Sequence, residues 1–228
     1  MSARRESLLE WVRSAPTPAG RPVNDPDQHH TGPVELPTQG VARIAAAPAH
    51  MPSEHEQAGH ELHLATSLVL GASQAAAALD RFANGDELRP DGALVFASLL
   101  HITGRREAAQ FWWQFAAGCG SATAAMLLHL LHLHLGETRD AAFWLAEADF
   151  LTANPKPAGR PLKAARSLLP DEVRRDILAR SHHGLSPRLP AAMEAVINRL
   201  PVDSDDDDFG EIPRPDPLLT TRLGCRRT

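Results

Sequence analysis

With 228 residues, 43% hydrophobic and 22% charged, the chain has the composition of a globular protein and room for one ordinary domain plus flanks. A net charge of −5, with seven phenylalanines, four tryptophans and no tyrosine, weighs against nonspecific nucleic-acid binding, which needs basic surface and stacking rings. Its two cysteines, Cys119 and Cys225, lie far apart and outside any CxxC spacing, which excludes a disulfide framework and suits a reducing, cytoplasmic compartment.

The 21 arginines against two lysines reflect a GC-rich, bacterial-type codon bias and carry no functional weight. At the start, Leu8, Leu9, Trp11 and Val12 predict a short amphipathic helix over 1–13. Arg4-Arg5 is no export signal, because Glu10 and Arg13 interrupt the apolar run that should follow. Residues 14–53 hold eight prolines and no sustained periodicity, and so form a linker with at most a brief turn at Val41–Ala47.

From Glu54 to Leu200 a helical period takes over, and 54–200 is expected to be one all-helical domain. Ala108, Phe111, Trp112 and Phe115 recur at i, i+3, i+4 and i+7, predicting a core-facing stripe on a helix over Arg106–Ala117. Ala122–Leu135 is apolar nearly all round and should be the buried centre; with three histidines in about a dozen residues it is too short and too polar to span a bilayer. A third helix over Arg139–Leu151 repeats the stripe with Ala141, Trp144, Leu145 and Ala148, and Asn154-Pro155 stops it.

Gly71, Gly104 and Gly136 each follow an apolar helix and precede an alanine-rich one, at spacings of 33 and 32 residues. Ala109/Ala141, Phe111/Phe143, Trp112/Trp144 and Ala116/Ala148 coincide at the 32-residue offset, while Ala75, Ala76, Leu79 and Phe82 stand in the corresponding places of the first copy. Gly104-Arg105-Arg106-Glu107-Ala108 and Gly136-Glu137-Thr138-Arg139-Asp140-Ala141 resemble the turn and second-helix start of the tetratricopeptide repeat family, and Pro155 its closing proline. The likeness covers about 57–155 and departs from the family's usual period of about 34 and from its first-helix Trp and Tyr. It implies an all-α short stack of antiparallel helical hairpins, a tetratricopeptide-like α-solenoid, in which Gly71, Gly104, Gly136, Phe111, Trp112, Phe143 and Trp144 build the repeat core.

Helices at Leu162–Leu169, Asp171–Arg180 and Pro190–Leu200 would cap such a stack. The last segment, 201–228, reads as a disordered acidic tail. In it, Phe209 and Ile212 are candidate anchors for a basic protein partner that Asp205, Asp206, Asp207 and Asp208 would steer.

No catalytic constellation stands out. His60/His63 and His129/His132 each place two imidazoles on one helical face, but no further ligand completes a zinc set, so no metal or other cofactor is expected. Cys119, between two glycines, has no identifiable base and reads as a turn residue. The aspartate run has Asp208 where a calcium loop needs glycine. The segment 171–200 has the outline of a helix-turn-helix with too long a connection, and Asn198 and Arg199 alone to reach bases. These residues point to a non-catalytic, regulatory adaptor that binds a protein or peptide. A transcription-associated regulator and a histidine-dependent metalloprotein or enzyme are the alternatives; no membrane segment is expected and nucleic acid is disfavoured.

Overall fold

The computed structural model describes residues 52–85, 89–155, 167–206 and 210–224, and over these the protein is predominantly α-helical. In chain order come α1 (Glu54–Gly71), α2 (Ala75–Ala83), α3 (Pro90–Ile102), α4 (Arg106–Gly118), α5 (Ala122–His134) and α6 (Thr138–Ala153). They are followed by α7 (Asp171–His182), α8 (Ala191–Asn198), an antiparallel hairpin of β1 (Val202–Asp206) and β2 (Gly210–Pro213), and α9 (Leu219–Arg222). The expected helix over 1–13, the expected linker 14–53 up to Met51, and residues 162–166 of the expected helix Leu162–Leu169 lie outside the described residues, as do Asp207, Asp208 and Phe209; the remainder of that last helix, 167–169, is not helical.

Local chemistry sets the helix limits. Ser53 and Glu56 form a reciprocal capping box at α1, the serine oxygen accepting from Glu56 N at 3.2 Å and the glutamate from Ser53 N at 2.7 Å. Pro90 opens α3, where a missing N–H costs nothing, and Ser121 caps α5. Gly104 and Gly136 adopt φ of 81° and 78°, which lets the following amide turn back: Arg105 N–H reaches Leu100 O at 2.9 Å and Glu137 N–H reaches His132 O at 2.8 Å. An equivalent closure at Gly120, with Ser121 N–H on Ala116 O, ends α4. Gly71 behaves differently. It is the last residue of α1, and the chain leaves through extended Ala72.

Helix α5 is enclosed on several sides. Ala124, Ala125, Leu127, Leu128, Leu130, Leu131 and His132 are all buried, because α6, α1 and α4 each cover part of it. Helices α3 and α4 pair closely, α2 lies on α3, and α1 runs against α3, α5 and α7. A buried hydrogen bond of 2.8 Å between Ser67 and Ser181 fastens α1 to α7. At the α2–α3 crossing Gly92 has no room for a side chain: a Cβ there would sit 2.6 Å from Ala78 O and against Phe82.

Three further expectations change. The buried face of α4 is Ala108, Ala109, Trp113, Ala116 and Ala117, one position round from the predicted stripe, and Trp113 is wholly buried. Trp112 is half-buried at the hub of a ring cluster with Phe82, Phe96, Phe111 and Phe115, its nearest ring being Phe111 at 5.2 Å. Phe143, assigned to a repeat core, is instead 60% exposed, while Trp144 packs partly against the core. Residues 201–206 and 210–224, expected to be a disordered tail, fold back onto the helices. Trp112 Nε1–H donates to Pro213 O at 3.1 Å, Thr220 Oγ1–H donates to Asp80, and Leu219 and Leu223 are fully buried.

Two measurements check this packing. Trp113→Ala should cost about 3–5 kcal/mol in urea unfolding, the range for deleting a large buried ring, whereas Phe143→Ala should change stability by less than about 0.5 kcal/mol. Gly92→Ala should destabilise by about 1–3 kcal/mol through overpacking, which thermal melts would register.

Candidate functional site

Helices α1, α3 and α5 each present one histidine, His63, His101 and His134, to a single cleft of about 530 Å³. Its rim carries Arg106 and Glu107 from α4 and Arg188 and Glu194 from the chain leading into and through α8; buried Pro187 and Leu189 form the far wall. Gly59 makes room for His134: a Cβ at that position would meet the ring at 2.7 Å. His134 Nδ1–H donates to His55 O at 3.0 Å, and His55 Nδ1–H donates to Leu133 O at 2.7 Å, a reciprocal clasp between the first turn of α1 and the end of α5.

His63 and His101 stand with ring centroids 6.0 Å apart, and His101 leans on Trp113 at 5.1 Å. His101 Nδ1 and Trp113 Nε1 are both sealed from water without a hydrogen-bond partner, an arrangement that costs stability. Burial, then repulsion from His63, His134 and Arg106, lowers the His101 pKa to about 3. Burial, followed by His134 and His60, also lowers His63. Both rings are therefore neutral at pH 7, with a lone pair available on each.

Two other helix histidines, His129 and His132, hold the α5–α6 turn together. His129 Nδ1–H donates to Ala141 O at 2.8 Å across the α5–α6 hairpin, and buried His132 donates to Glu137 at 2.6 Å over the turn at Gly136. The ligating atoms of His132, Glu137 and Asp140 lie within 4.8 Å of one another. Both carboxylates belong to the start of α6, where backbone amides already favour negative charge. The sequence pairs at i, i+3 are thus split: His63 meets His101 from another helix, a proximity that spacing alone does not reveal.

Of the expected partner-binding residues, Ile212 is buried within the fold and is not an available anchor. Asp205 and Asp206 belong to β1, opposite Glu211 and Gly210. Asn198 is engaged by Arg105, whose guanidinium donates to its side chain and backbone oxygens at 3.3 and 3.2 Å. Helix α8 packs on α9 while α7 packs on α1, unlike the paired helices of a helix-turn-helix. No single helix among the described residues is long and apolar enough to cross a membrane. No family model matches the chain, and no curated protein or solved structure is significantly similar to it.

A depressed histidine pKa has a defined consequence for stability. The unfolded chain takes up a proton near pH 6.5 that folded His101 refuses until about 3, so stability is full above 6.5 and falls as the pH drops through that window. The expected slope is about 1.4 kcal/mol per pH unit for this one proton. Urea titrations from pH 7 to 4 should show a shallower decline in His101→Gln than in the parent chain.

Proposed function

We propose that this protein is a non-catalytic, regulatory adaptor that recognises a protein or peptide on a scaffold of tetratricopeptide-like hairpins. The observation that carries the reading is the outer face of α6, where Ala142, Phe143, Ala146, Phe150 and Ala153 follow one another at helical spacing and are all exposed. Phe143 and Phe150 are 60% and 59% open to solvent, in a chain whose other described phenylalanines are buried or half-buried. Contiguous apolar surface of this kind marks protein contact far more often than it marks catalysis.

Support for the hairpin scaffold comes from the matching closures at Gly104 and Gly136, one 32-residue step apart, and from the close pairing of α3 with α4 and α5 with α6. The neutral imidazoles of the cleft are poor proton acceptors at pH 7, which also favours binding over acid–base chemistry. With Ile212 and Asn198 engaged internally, the α6 face offers better contact chemistry than the acidic segment or α8 does.

Crosslinking affinity purification from the native host tests this. A partner recovered stoichiometrically with the parent chain should be lost with Phe143→Asp/Phe150→Asp, while the far-UV circular dichroism and the melting temperature stay within about 2 °C of the parent values. Recovery of the same partner by both chains would move recognition off α6; recovery of none would remove the adaptor reading.

A further inference from the structure

The geometry points to a divalent transition-metal site, of the kind that takes Zn²⁺, formed at the α5–α6 turn by His132, Glu137 and Asp140. It goes beyond the adaptor reading and does not rest on it. One imidazole nitrogen and two carboxylate oxygens from these residues lie within 4.8 Å of one another. Donors that share one tetrahedral zinc at about 2.0–2.2 Å stand about 3.4 Å apart, so modest side-chain rotations bring this set onto a single ion. The two carboxylates balance the charge of a divalent cation, and three protein ligands with one open position are a common zinc arrangement.

The two sides of the site differ in their surroundings. His132 lies in the last turn of α5 and is only 6% exposed, which makes it a fixed anchor. Its Nδ1 faces Glu137 Oε2 at 2.6 Å, and its Nε2 is sealed without a hydrogen-bond partner. In the neutral ring, a cation at Nδ1 moves the one ring proton to Nε2, a nitrogen that no protein group occupies. Glu137 and Asp140 stand on the solvent side, where their side chains are free to adjust and water can fill the open position. Glu137 is the N-cap residue of α6, yet its carboxylate makes no cap hydrogen bond and turns to the imidazole instead. Asp140 is exposed and forms no hydrogen bond or ion pair among the described residues.

The turn itself does not require these side chains. Its counterpart one 32-residue step earlier closes in the same way, with Arg105 N–H on Leu100 O at 2.9 Å against Glu137 N–H on His132 O at 2.8 Å. There the three places are taken by Leu100, Arg105 and Ala108. A buried imidazole in place of leucine, and acids in place of arginine and alanine, therefore answer to something other than chain reversal. His129, one turn earlier, is tied to Ala141 O at 2.8 Å and stays outside the set.

The test is isothermal titration of the full, untagged chain with ZnCl₂ at pH 7.5, alongside His132→Gln, Glu137→Gln, Asp140→Asn and, as the control, His63→Gln. One Zn²⁺ per chain is expected, with affinity reduced at least about tenfold in each of the first three variants, the lower bound for losing even an outer partner of a metal ligand, and unchanged in the fourth. Glu137→Gln and Asp140→Asn alter exposed side chains and decide the matter if His132→Gln fails to fold. Ring-proton NMR of the parent chain requires no variant, and there the His132 signals should shift to completion at one equivalent. Absence of stoichiometric binding would overturn the proposal. So would undiminished affinity in any of the first three variants, or loss of binding in His63→Gln, which would place the ion in the cleft.

Discussion

Burial of α5 is the constraint on which the rest of the structure depends. Leucines at 127, 128, 130 and 131 point to more than one side of the same helix, and each is worth about 1.5–3 kcal/mol once removed from water. A helix apolar on one stripe needs one neighbour, whereas this one needs several. Helix α6 returns along it through the Gly136 turn, α4 leads into it through Gly120, and α1 crosses it from a distant part of the chain. That last contact brings His55 and Gly59 against His134 and so creates one wall of the cleft. The cleft is thus a consequence of how α5 is covered.

The histidines show how one residue type is put to two uses by its surroundings. Where an imidazole N–H finds a carbonyl or carboxylate, as at His55, His129 and His132, it works as a fastener across a turn or between helices. His63 and His101 make no such bond, and they are kept neutral first by burial and then by neighbouring charge, from His134 and His60 on His63 and from His63, His134 and Arg106 on His101. The buried Nδ1 of His101 is left without a hydrogen-bond partner, and an unsatisfied buried group of this kind carries a standing energetic cost.

The C-terminal segment illustrates the limit of composition as a guide. Its aspartates and prolines predict disorder, yet Ile212, Leu219 and Leu223 are enough to fold it onto the body once Trp112 and Asp80 offer hydrogen bonds to receive it. Trp112, displaced from the core face by Trp113, is for the same reason available to this segment. The aromatic run Phe111-Trp112-Trp113 can present either tryptophan to the core by a small rotation of the helix, and periodicity cannot choose between them. The choice falls to neighbouring volumes: Trp113 fits beside His101, and Trp112 fits among Phe82, Phe96 and Phe115.

By itself the amino-acid sequence determined the helical class, the approximate limits of α4, α5, α6, α7 and α8, the enclosed character of α5 and the turn glycines at 104 and 136, because capping, turn geometry and apolar periodicity act over a few residues. Only the tertiary structure decided that Phe143 faces solvent, that Ile212 is buried and that His63, His101 and His134 share a cleft. Those outcomes depend on which helices cross, and contacts between residues separated by tens of positions leave no trace in local spacing.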